Sequence, residues 1–177
     1  MYKNILVPLD GSDTSRRGLT EAIGLAKELK ARLRLLHVSS DFPIMLEMAN
    51  TIDFEKYRSG LHQFGRNLLE ETKAEAERAG LTVSTELRDL KGGRVADAIV
   101  EDARAARCDL IVIGTHGRRG FQHALMGSDA ERVTRESPVP VLLIRAPAPA
   151  WLSTSNSIIG PFVVKLRPAR SASMKPA

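Results

Sequence analysis

Two stretches far apart in the chain carry residue types suited to holding a charged small molecule. One is Gly114-Thr115-His116-Gly117, followed after nine residues by Gly127-Ser128. It joins the apolar run Asp109 to Ile113, which reads as a short buried strand, to a helical pattern over Asp129 to Glu136. Glycines without side chains let backbone N–H groups approach an anion, and a helix N-terminus adds partial positive charge, so the segment suits phosphate. Ser128 reads as the N-cap, with a hydroxyl for the helix or a phosphate. Arg118 and Arg119 offer charge to phosphate oxygens. His116 reads as a loop residue near phosphate, because no serine or cysteine nucleophile is arranged with it. The P-loop pattern, with its lysine and following serine or threonine, is absent, which argues against rapid hydrolysis of that type. The second stretch is Val7-Pro8-Leu9-Asp10-Gly11-Ser12, which places a carboxylate where an apolar run gives way to a helix.

The elements that must position these residues alternate regularly. Asn4 to Leu9 forms a first strand; Ser12 or Asp13 caps a helix with Leu19, Ala22, Ile23, Ala26 and Leu29 at helical spacing. Leu33 to Val38 is a second strand, Asp41 to Thr51 a loop, and Phe54 to Ala79 a longer helix that puts Leu61, Phe64 and Leu68 on one face and stops at Gly80. Leu81 to Arg88 alternates as a half-buried edge strand. Gly92-Gly93 precedes a helix with Val95, Ala98, Ile99 and Ala103 inward, and Val139 to Ile144 is the last strand. This pattern predicts an α/β fold: a doubly wound five-stranded parallel sheet in the order 3-2-1-4-5, with helices on both faces. In that order the first and fourth strands are neighbours at the switch point, where ligands collect beyond the carboxyl ends. Asp10 and the Gly114 loop then face one another. A blander reading stands beside it, in which Asp10 caps its helix and the glycines only shape a turn.

Composition narrows the partners. The 177 residues carry a net charge of +5, but residues 146–177 hold Lys165, Arg167, Arg170 and Lys175 and no acid. Subtracting those four leaves about +1 for residues 1–145, where acids and bases are interspersed, which counts against a nucleic-acid-binding body, and no nucleic-acid partner is expected. The opening residues lack a secretory pattern and no apolar run reaches the roughly 18 residues that span a bilayer, so a cytoplasmic protein without membrane partners is expected. Cys108 is the single cysteine, which excludes an internal disulfide and favours a buried thiol. Residues 1–145 read as one domain. Residues 146–177 read as a flexible Pro/Ser-rich basic tail with a small apolar island at Ile158-Ile159 and Phe162-Val163-Val164.

Ile5-Leu6-Val7-Pro8-Leu9-Asp10-Gly11-Ser12, the Leu36-His37-Val38 strand end, the Gly114-x-x-Gly117 to Gly127-Ser128 spacing and the closing Ser137-Pro138-Val139-Pro140-Val141-Leu142-Leu143-Ile144 resemble the universal stress protein family, over residues 1 to about 145. The glycine spacing is similar to that of its ATP-binding branch. The resemblance implies that Pro8, Asp10 and Val38 lie around the adenosine, while Gly114, Gly117, Gly127 and Ser128 bracket the phosphates of ATP, with Mg2+, and Thr115, His116 and Arg118 share that loop. Asp129 departs from the pattern, where an uncharged residue is more usual, and the tail has no counterpart. The implied function is a stress-response protein whose nucleotide occupancy is a signal, with slow or no hydrolysis. A metal-dependent ATP hydrolase or phosphotransfer enzyme using Asp10, His116 or Asp129 is one alternative; a nucleotide-independent interaction module is another. The apolar edge from Val139 to Ile144 invites a homodimer, as the resemblance also suggests, with the tail's apolar island as a rival cover.

Overall fold

A computed structural model describes residues 1–40, 54–90, 92–115 and 126–145. The expected loop over Asp41 to Thr51, the residues His116, Gly117 and Arg118, and the tail 146–177 lie outside the described residues. The chain runs β1 (Asn4–Pro8), α1 (Asp13–Leu29), β2 (Arg32–Ser40), α2 (Phe54–Arg78), β3 (Val83–Leu90), α3 (Val95–Ala105), β4 (Leu110–Gly114), α4 (Ser128–Glu136) and β5 (Val141–Ile144). All strand pairs are parallel, and the sheet order is β3-β2-β1-β4-β5.

Strand periodicity divides the apolar residues between two cores. Ile5, Val7, Leu33, Leu35, Leu110 and Val112 meet Leu19, Ala22 and Ala26 of α1 and Leu68, Leu69 and Ala76 of α2. Their alternates Leu6, Leu36, Ile111 and Ile113 meet Ala96, Ile99 and Ala103 of α3 and Ala130 and Val133 of α4. Helices therefore cover both faces, the arrangement that near-continuous apolar strands require. The buried stripe of α2 is rotated from the expected one: Leu68, Leu69, Thr72 and Ala76 are buried, while Phe64 is 40% exposed. Gly80 ends the α2 segment at φ 84°, and Gly92 and Gly93 make the turn into α3 with φ of 145° and 90°.

Two features depart from the apolar pattern. Arg34, on the α3 side of β2, reaches the buried Asp102 through Nε at 3.1 Å and Nη2 at 2.9 Å, and Glu86 at 3.0 Å. The fork satisfies a carboxylate only 1% exposed, so removing either partner would strand a charge in the core. The last strand is shorter than Val139 to Ile144. Ser137 folds on itself, its hydroxyl donating to the Val139 carbonyl at 2.7 Å and accepting from the Val139 N–H at 3.2 Å, and Pro140 has no N–H to give a ladder. Among the described residues, no helix is long and apolar enough to cross a membrane.

Candidate functional site

The carboxyl ends of β1 and β4 lie side by side, with Ile5 opposite Leu110 and Leu6 opposite Ile111. Each strand ends in a loop that leads into a helix, and the two loops carry different chemistry.

On the β1 side, Pro8 is the last ladder residue, opposite Leu36 of β2. Leu9 follows and is held from β2 twice: its N–H donates to the Leu36 carbonyl at 2.8 Å, and its carbonyl lies 2.7 Å from His37 Nδ1. Asp10 then turns its carboxylate back over the chain, where Oδ1 accepts from the Ser12 N–H at 3.0 Å and the Ser12 hydroxyl at 2.6 Å. Gly11 makes this turn possible with φ of 83°, a conformation other residues adopt at a cost. Ser12 is the N-cap of α1; its oxygen accepts from the Ser15 N–H at 3.2 Å while its proton goes to Asp10. Asp10 therefore does not cap α1 itself. It holds the residue that does, and remains in the loop at the switch point.

On the β4 side, Gly114 ends the strand opposite Ile144 of β5. A Cβ there would stand 2.9 Å from Thr14 Cγ2 and 3.1 Å from the Thr14 carbonyl carbon, so α1's first turn already demands a glycine before any ligand is considered. Thr115 is buried and fastens the loop at both backbone groups: its N–H donates to the Ile144 carbonyl at 2.8 Å, and its carbonyl accepts from the Gly127 N–H at 2.7 Å. Thr115 and Gly127 are thereby held side by side. The N-cap of α4 is Gly127 rather than Ser128, with φ of −69° and ψ of 150°; Ser128 is the first helical residue. The Thr115 bond to Gly127 draws that residue into the extended conformation a cap needs, which moves the cap one position upstream. Gly127 has no side chain to turn onto the helix, so the N-cap residue itself gives α4 no side-chain bond. Its first-turn N–H groups have no acceptor inside the helix and aim toward the β4 end. Asp129 and Glu131 occupy that first turn, where acids favour the helix dipole.

Val38, the third expected adenosine neighbour, is partly buried two residues beyond the β1 ladder and packs with the α3 and α4 core. Of the expected site residues, Pro8, Asp10, Val38, Gly114, Thr115, Gly127 and Ser128 are described, and they sit at the carboxyl ends of β1, β2 and β4 or at the start of α4. Ser12, one of the two caps expected for α1, is the one used, and its bond to Asp10 was not foreseen. Two further contributors escaped the sequence reading: Thr14 as the reason for Gly114, which left no signal, and His37 as a clamp on Leu9, which left one as a polar side chain inside an apolar strand. Among the described residues, no group of three or more His, Cys, Asp or Glu is placed to hold a metal ion.

A five-stranded doubly wound sheet with loops converging at the β1/β4 switch point defines an open α/β protein of the kind that places its site beyond the strand ends. Within that class, the chain belongs to the universal stress protein family, whose model matches residues 1–145. A universal stress protein of Methanocaldococcus jannaschii is 36% identical over 147 residues, covering 83% of this chain and 84% of its own. Among solved structures, a second protein of that organism, also a universal stress protein, superposes with a TM-score of 0.73 at 28% identity, over 84% of this chain and 99% of its own. A universal stress protein solved in complex with cAMP superposes with a TM-score of 0.58 at 26% identity, over 81% of this chain and 97% of its own.

Proposed function

We propose that this chain is a cytoplasmic adenine-nucleotide-binding member of its family in which occupancy, rather than turnover, is the output. The observation that carries the reading is the placement, at the β1/β4 switch point, of the Asp10 carboxylate on one loop and, on the neighbouring one, of an α4 start whose N-cap is a glycine. A nucleoside offers hydroxyls that a carboxylate accepts, and its phosphates suit helix N–H groups. On this reading Pro8, Asp10 and Val38 surround the adenosine. Gly114, Gly117, Gly127 and Ser128 border the phosphates, with Thr115, His116 and Arg118 on the same loop. Complex formation with cAMP by a relative of similar fold supports an adenine ligand. Mg2+ needs few protein ligands when it arrives on phosphates, and Asp10 and Asp129 are the carboxylates flanking that end.

Calorimetry with purified protein should show Mg2+-ATP binding that weakens by about tenfold in Asp10→Ala, the scale of one charge-assisted hydrogen bond. Absence of binding to ATP, ADP and cAMP at millimolar concentration sinks the proposal; phosphate release that scales with protein and disappears in Asp10→Ala would favour a hydrolase instead. The same proposal includes a homodimer through the Val139 to Ile144 segment, since β5 forms one edge of the described sheet. Light scattering on the calorimetry sample should return the mass of two chains, and the mass of one at micromolar concentration would refute it.

A further inference from the structure

The geometry points to His37 as a positioning residue that fixes the Asp10 loop for ligand, a role that rests on the nucleotide reading above. His37 is 4% exposed, on the side of β2 that faces α1 and α2. Its Nδ1 lies 2.7 Å from the Leu9 carbonyl. A carbonyl oxygen can only accept, so Nδ1 carries the proton and the ring donates. The Leu9 carbonyl and the Asp10 N–H belong to one peptide plane. The orientation of that plane sets the direction in which the Asp10 side chain departs, so a ring in β2 governs a carboxylate in the next loop. The Leu9 N–H, given to Leu36 at 2.8 Å, anchors the preceding peptide independently. Both peptide planes flanking Leu9 are thereby fixed from β2.

The ring is also prevented from retreating. Gly65 of α2 lies directly over it: a Cβ at that position would stand 2.6 Å from His37 Cδ2 and 2.7 Å from Leu87 Cδ1. Phe64 meets the ring edge-on, with centroids 5.8 Å apart and planes at 63°. The imidazole is wedged between a helix that approaches closely only because residue 65 is glycine and a loop whose next residue is Asp10. A histidine serving only to fill the core would have no need of this directed bond to the Leu9–Asp10 peptide.

Two substitutions separate the donor from the ring. His37→Asn keeps an N–H near the Nδ1 position and removes most of the ring; His37→Phe keeps a ring and removes the donor. Calorimetry with Mg2+-ATP is expected to give His37→Asn an affinity within about threefold of the parent and His37→Phe one weaker by about tenfold, whichever variant melts lower. Affinity losses that follow the melting temperatures, with Asn no better than Phe, would overturn the proposal. Should His37→Phe not fold, His37→Gln takes its place, because its amide reaches the Nε2 rather than the Nδ1 position. Should the parent protein bind no nucleotide, the nucleotide reading fails by itself, and the positioning role is read without ligand. Amide exchange at Ser12, whose N–H Asp10 accepts, should then quicken in His37→Phe and not in His37→Asn. Equal exchange in the two variants would overturn it.

Discussion

The two ends of the sheet use aspartate in opposite ways. At the amino end, Asp109 accepts from the Lys3 N–H at 2.7 Å and the Asn4 N–H at 3.0 Å, and the Asn4 amide donates to the Ala106 carbonyl at 2.7 Å. The carboxylate there ties the start of β1 to the start of β4. At the carboxyl end, Asp10 accepts from the Ser12 N–H and hydroxyl, two residues along its own loop, on Oδ1. Nearby, α4 begins at a glycine, Gly127. At one end the aspartate joins two strands, and at the other it bonds within its own loop, whose neighbour Leu9 is held from β2. The same fold holds a carboxylate in either place; what differs is that Asp109 bonds to a strand distant in sequence, while the Asp10 bonds to Ser12 shape the loop that leads into α1.

Substitutions at the two ends should therefore have different consequences. The largest effect is expected for Gly114→Val, whose branched side chain must displace Thr14. It should cost about 3 kcal/mol of stability by chemical denaturation and also abolish nucleotide affinity, because the start of α1 and the Asp10 turn move together. Asp109→Ala should cost about 2 kcal/mol by the same measurement, from two backbone N–H groups losing their acceptor, while calorimetry gives unchanged affinity. A result with affinity lost in Asp109→Ala and kept in Gly114→Val would reverse the assignment of the two ends. The smallest effect tests how dry the amino end is. Burial, helped by the Asp102 carboxylate, pushes the Cys108 thiol up to about 11. At pH 8 the native protein should react with a thiol reagent far more slowly than the unfolded chain. The folded state holds this proton more tightly than the unfolded state, so its contribution to stability is complete below about pH 8.5 and is lost as pH rises through about 11. Labelling at equal rates with and without denaturant would show the end to be open.

Much of the fold was legible because its signals are local. Near-continuous apolar runs in β1 and β4, glycines at the ends of helices, short connections and right-handed crossovers suffice to set the strand order, and Asp10 and Gly114 lie on the neighbouring strand ends where that order places them. What was hidden depends on partners distant in sequence. Nothing near Arg34 announces Asp102, and a charged residue inside β2 reads as a break in an apolar run until α3 is packed against it. The α4 cap moved from Ser128 to Gly127 because the Thr115 carbonyl, across the loop, takes the Gly127 N–H. Phe64 had the right spacing to be core, but helix α2 turns Gly65 inward instead to make room for His37.

The bond between Thr115 and Gly127 has an evolutionary consequence. A segment whose two ends are already joined adds closure entropy only with the logarithm of its length, about 0.6 kcal/mol per doubling. The Thr115 to Gly127 closure and the Ile144 anchor thus belong to the scaffold, and on that side a change in the length of the chain between Thr115 and Gly127 costs little.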